Sequence, residues 1–134
     1  MTARGGCARF GKFSLVGVLG AALQVALFDF LVHGVRLPGA AAAAIAVESA
    51  LLHNFIWHER FTWRERRTAM GFRERSARLW RFHAANGMVS LAGNTLLAYC
   101  LVQQLKAPAI PSAVAAILVC APLNFLLADR WVYV

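Results

Sequence analysis

The chain states one pattern twice, and that duplication narrows its fold more than any other feature. The segment Asn54-Phe55-Ile56-Trp57-His58-Glu59-Arg60-Phe61 returns as Asn124-Phe125-Leu126-Leu127-Ala128-Asp129-Arg130-Trp131. In each copy an apolar run leads to an Asn-Phe pair and then to an acid-Arg-aromatic triplet. Upstream, Arg9-Phe10-Gly11-Lys12-Phe13 is echoed by Arg78-Leu79-Trp80-Arg81-Phe82, a basic-aromatic lead-in to a long apolar run. The offset is about 70 residues, so two copies, about 9–63 and about 78–134, fill nearly the whole chain of 134 residues. Paired hydrophobic spans repeated in this way are a common plan of small transport proteins.

Composition agrees. The chain is 60% hydrophobic and 15% charged, where soluble domains carry roughly a quarter charged residues. Its basic residues are unevenly placed: eight arginines fall between Arg60 and Arg81, and Arg4, Arg9 and Lys12 precede the first apolar run. Because they flank membrane-length stretches they set topology, and nucleic acid is not expected as a partner. Cys7, Cys100 and Cys120 have no paired spacing and read as reduced, small hydrophobic residues.

Four stretches, 13–32, 38–57, 83–102 and 109–128, are long enough to cross a hydrocarbon core, which takes about 20 helical residues. Each must be a helix, because lipid offers no partner to an open backbone. The predicted fold is an all-α membrane protein of four transmembrane helices, one domain over residues 1–134. The outer loops hold only Arg36 and Lys106, whereas the central loop, 58–82, holds eight arginines. The positive-inside rule therefore puts both termini and the central loop in the cytoplasm. Two out-and-back hairpins of the same orientation are parallel repeats. Trp57, Trp63, Trp80 and Trp131 fit an aromatic belt at the cytoplasmic face, and Gly17, Gly20, Gly87 and Gly93 allow close helix approach. The arginine-rich loop reads as a short amphipathic helix on the anionic leaflet.

Polar groups inside lipid are costly, so they mark candidate sites. Glu48 lies mid-span in the second stretch, facing a bill of about 2.5–3.5 kcal/mol unless protonated or paired. Its structural alternative is a protonated acid bonded to Gln24, Ser90 or Asn94. Asp29, near the outer end of the first span, reaches water or Arg36. Asn54 and Asn124 hold matching positions at the cytoplasmic ends of their spans, where interhelical hydrogen bonding is the plain explanation. With Arg60 and Arg130 following them, and Lys12 and Arg81 at the other helix ends, they outline a cationic cytoplasmic mouth able to hold a lipid phosphate. No Gly-rich phosphate loop, nucleophile elbow or zinc-ligand spacing occurs. No catalytic residue, metal or cofactor is therefore expected.

Together these residues resemble the GtrA-like family of small four-span membrane proteins. The likeness is carried by Arg9-Phe10-Gly11-Lys12-Phe13-Ser14-Leu15-Val16-Gly17, by Asn54-Phe55 through Arg60-Phe61-Thr62-Trp63, by Arg81-Phe82, and by Asn124-Phe125-Leu126 through Arg130-Trp131. It covers about residues 9–134. The resemblance implies flipping of a polyprenyl-phosphate-linked monosaccharide from the cytoplasmic to the outer leaflet of the cytoplasmic membrane, for cell-surface polysaccharide synthesis, without enzymatic chemistry. On that reading Lys12, Arg60, Arg81 and Arg130 hold the phosphate while Glu48, Gln24 and Asn94 offer the sugar a polar route. Four helices are few to enclose such a path, which leaves room for a homodimer or a glycosyltransferase partner. An accessory subunit anchoring such an enzyme is the alternative, and a proton-coupled exporter using Glu48 ranks last. One departure stands out: Ala85-Asn86-Gly87 replaces the Val16-Gly17 of the first copy. If that turn matters for packing, the halves are not equivalent.

Overall fold

The structure is a computed structural model and describes residues 3–66, 71–106 and 108–134. Among them every regular element is helical. The chain divides into two compact units, Met1–Arg67 and Thr68–Val134.

In the first unit α1 spans Ala3–Asp29 and widens into a π-helical turn, Phe30–Gly34; α2 spans Gly39–Trp57 and ends in a second π turn, His58–Thr62. In the second unit α3 (Phe72–Gly87) passes through a π segment, Met88–Asn94, into the short α4 (Thr95–Tyr99) and the π turn Cys100–Gln104. There α5 (Ala109–Leu127) closes with the π turn Ala128–Val132. Prolines start both return helices: Pro38 and Pro108 sit at the N-caps with extended ψ of 137° and 142°. Proline lacks the amide that would go unpaired at a helix start. Each π turn closes with one wide bond. Val35 and Leu105 N–H reach Phe30 and Cys100 C=O, and Trp63 and Tyr133 N–H reach His58 and Ala128 C=O. Carbonyls that would otherwise be orphaned at helix ends are thereby satisfied. Arg36 and Lys106 then turn the chain at φ of 62° and 54°.

Small residues build both hairpin seams. Ala42, Ala46 and Ala50 are buried at every fourth position of α2, as are Ser112, Ala116 and Cys120 of α5, which lines them along one helix face. Phe13, Val16 and Gly20 of α1 are buried in the first unit. A Cβ on Gly20 would stand 2.7 Å from Asn54 Cγ, and one on Gly93 would stand 3.1 Å from Cys120 Sγ. Gly17 and Gly87, expected to serve the same purpose, have no described neighbour within 4 Å of such an atom.

Away from the seams the helices are coated with exposed apolar side chains: Leu15, Val18, Leu19 and Val25 on α1, and Val114, Ile117, Leu118 and Val119 on α5. Such a surface is at home in hydrocarbon. Among the described residues three helical stretches are long and apolar enough to cross a membrane, Gly6–Gly34, Gly39–Thr62 and Val114–Val132. The expected central loop is largely helical: α3 begins at Phe72, well before the apolar run. Of the four tryptophans expected in an interfacial belt, Trp57, Trp80 and Trp131 are exposed, but Trp63 is buried. Its indole meets Phe13 edge-on at 6.0 Å and His58 at 5.3 Å.

Candidate functional site

The first unit brings basic side chains from three elements into one cleft. It is lined by Lys12 of α1, Arg60 and Phe61 of the His58–Thr62 turn, and Arg64 and Glu65 of a short 3-10 turn, Arg64–Arg66. Its volume is about 480 Å³. The turn is held from beneath. Phe13 stacks on His58 with ring centroids 4.8 Å apart, and the His58 Nδ1 and Thr62 Oγ1 atoms are 3.0 Å apart in a hydrogen bond. Burial of Trp63 against the same pair fixes where the chain leaves the membrane helix, and so where Arg60 and Arg64 emerge.

Charge within the cleft is unbalanced. Arg9 donates to Glu65 at 2.5 Å, so the one carboxylate of the lining is already engaged by a residue of α1. Desolvation pushes the Glu65 carboxyl up, but hydrogen bonds from its own backbone amide and from Arg9, with the charges of Arg9 and Arg66, outweigh it and hold the pKa below the usual value. Lys12 keeps its ammonium 5.1 Å above the Phe61 ring, a cation–π contact that places it at the mouth. Lys12, Arg60 and Arg64 are left to favour an anion through charge-assisted hydrogen bonds.

A second cleft, of about 570 Å³, lies in the second unit between α3 and the end of the Ala128–Val132 turn, lined by Arg73, Glu74, Ala77, Arg78, Arg81, Val132 and Val134. Arg78 is 4% exposed and lies 5.6 Å over the Tyr133 ring, which Phe82 meets edge-on.

Of the residues expected from sequence, Lys12 and Arg60 meet in one cleft and Arg81 lines the other. Arg130 is exposed on its turn. Asn54 and Asn124 are in neither lining; they continue the seam stripes, four residues beyond Ala50 and Cys120. Asn54 Oδ1 lies 3.2 Å from His53 Nδ1, while the buried Asn124 Oδ1 has no partner among the described residues. Gln24 is half-buried on α1, and the Asn94 side chain lies outside the described residues. Glu48 is exposed on α2, roughly three turns from Arg60 and two positions from both Ala46 and Ala50, on the side turned away from the seam. Asp29, expected to meet water or Arg36, pairs with His33, whose Nδ1 lies 2.9 Å from its carboxylate. Sequence reasoning missed Arg64, Arg73 and Arg78. From sequence the central segment reads as a short amphipathic helix on the leaflet, which singles out none of its inner arginines as a candidate.

Residues 12–133 match the family model of the GtrA/DPMS transmembrane domain. No curated protein matches the chain. The membrane-length helices and the transmembrane family match together make it a multi-pass membrane protein.

Proposed function

The chain belongs to the GtrA/DPMS transmembrane family, and from that premise we propose that it flips a polyprenyl-phosphate-linked monosaccharide across the cytoplasmic membrane for polysaccharide assembly. The observation that carries this reading is the convergence of Lys12, Arg60 and Arg64 on one cleft at the end of an apolar hairpin. A phosphate there meets three cations while its lipid tail stays against the apolar flanks of α1 and α2. Transport is non-covalent, and the substrate's glycosidic bond is left to a separate glycosyltransferase.

The proposal includes a fourth span, residues 83–102, that completes two parallel hairpins in a single domain over residues 1–134. Matching landmarks favour it: Pro38 and Pro108, Arg36 and Lys106, and the paired π turns recur at one offset. With the arginine-rich segment and both termini on the cytoplasmic side, the Lys12–Arg60 cleft faces the leaflet in which the sugar is attached. Arg81 and Arg130 are the second unit's own candidates for the phosphate. Glu48, Gln24 and Asn94 are the groups assigned to the sugar hydroxyls and Asn54 and Asn124 to the cytoplasmic mouth, with a second copy of the chain or a partner enzyme enclosing the path.

Reconstituted in liposomes, the protein is expected to move a short-chain phosphoprenyl sugar between leaflets faster than protein-free vesicles do. Lys12→Ala/Arg60→Ala should slow that movement about tenfold or more by removing two phosphate contacts, and Glu48→Gln tests the sugar path. No movement by well-folded protein would overturn the reading and favour an accessory subunit that anchors a glycosyltransferase.

A further inference from the structure

We propose that the second unit carries a lipid-phosphate site of its own, in the cleft formed by Arg73, Arg78 and Arg81 of α3 with Val132 and Val134. The site goes beyond the transport reading, since it requires only that the second unit lie at a membrane surface. Arg73, Ala77 and Arg81 follow one another at four-residue spacing and share a face of α3. Along the helix the two arginines are about 12 Å apart, and the small side chain of Ala77 leaves open the space between them. Long guanidinium arms can therefore converge on one phosphate lying over Ala77. Arg78 lines the same cleft from a buried position against Tyr133, so its stem is ordered before any ligand arrives. Glu74 offsets part of this charge, and Arg73 and Arg81 against that one side-chain carboxylate leave the cleft cationic without counting Arg78, which is already engaged.

The opposite wall decides the class of ligand. Across from the arginines the lining side chains are those of Val132, which is buried, and Val134, which is exposed, so an apolar side chain borders the cationic ones. Phe72 and Trp80, 89% and 76% exposed on the same helix, are aromatic groups of the kind that settle at headgroup depth. A phosphate with an alkyl tail satisfies both walls; free phosphate satisfies one.

Native mass spectrometry of the intact protein in non-ionic detergent, titrated with decyl phosphate and separately with inorganic phosphate, tests the assignment. Two decyl phosphates per chain are expected. Arg73→Ala/Arg81→Ala should weaken one of them about tenfold or more, and Ala77→Glu, an exposed substitution, should do the same by placing a negative charge between the arginines. Lys12→Ala/Arg60→Ala should remove the other. Unchanged binding in both second-unit variants would overturn the site, and inorganic phosphate binding as tightly as decyl phosphate would overturn its assignment to lipid. Loss of transport without loss of the second decyl phosphate would strike the transport reading alone.

Discussion

The two hairpins share a backbone plan and differ in what fills their seams. In the first, the stripe Ala42, Ala46, Ala50, Asn54, His58, Thr62 ends in polar groups that find partners. His58 bonds Thr62 and stacks on Phe13, and Asn54 sits beside His53 against Gly20. In the second, the stripe Ser112, Ala116, Cys120, Asn124, Ala128, Val132 ends in apolar ones, and Leu123 stands where His53 would. Asn124 Oδ1 is left buried without a described partner. The first helices differ too. Phe82 answers Phe13, yet Cys100 answers Phe30 at an offset one residue greater. The extra residue falls within the stretch holding the Met88–Asn94 π segment, and a π turn is the way a helix absorbs an insertion without breaking. The first seam is thus closed by side-chain complementarity, while the second combines a locally widened helix with a buried Asn124 acceptor that has no partner among the described residues.

The sharpest way to break this comparison is through the glycines. Gly20→Ala forces a methyl into the Asn54 amide and should destabilise the protein by about 1–3 kcal/mol. Gly93→Ala, which meets the Cys120 sulfur at 3.1 Å and a Val89 methyl at 3.7 Å, should cost less. Gly17→Ala should stabilise by about 0.5–1 kcal/mol, since nothing described opposes it and the helix gains a better former. Denaturation in detergent ranks the three, and equal effects at Gly20 and Gly17 would remove the distinction between closed seam and open face.

The asparagines give the next largest difference. Asn54→Leu loses a hydrogen bond and crowds Gly20, an expected cost of about 1–3 kcal/mol. Asn124→Leu removes a buried acceptor that has no partner among the described residues and should stay within about 1 kcal/mol of the parent. If Asn124 serves the substrate at the cytoplasmic mouth, the same substitution lowers transport while leaving stability intact. Thermal unfolding and the liposome assay, run side by side, separate these outcomes.

Smallest is the contribution of Glu65. Its folded-state pKa lies below the ordinary value of 4.5, so its stabilisation is present above about pH 4.5 and fades as pH falls through the folded pKa. The pair with Arg9 is partly exposed, which keeps the effect small. Glu65→Gln should remove this small stabilisation at neutral pH and leave stability at low pH unchanged, which flattens the acid limb of the stability curve.

Hydrophobic run length and the Asn-Phe…acid-Arg-aromatic repeat were enough to read helices, hairpins and membrane residence, because a lipid-embedded backbone has few alternatives to helix. Lys12 and Arg60 were legible as phosphate-binding candidates because both stand at the ends of apolar runs. Their meeting in one cleft with Arg64 depended on a π turn and on Trp63 folding inward, and neither leaves a periodic trace in sequence. The same holds for Asn54 and Asn124: their repetition marked them as special, but only packing placed one beside a histidine and a glycine and the other in a seam that offers no described partner. Sequence determined which segments leave water, since that follows from summed transfer free energy. Tertiary structure decided which charges face one another and which polar atoms are left over, since these depend on side-chain contacts between segments far apart in the chain.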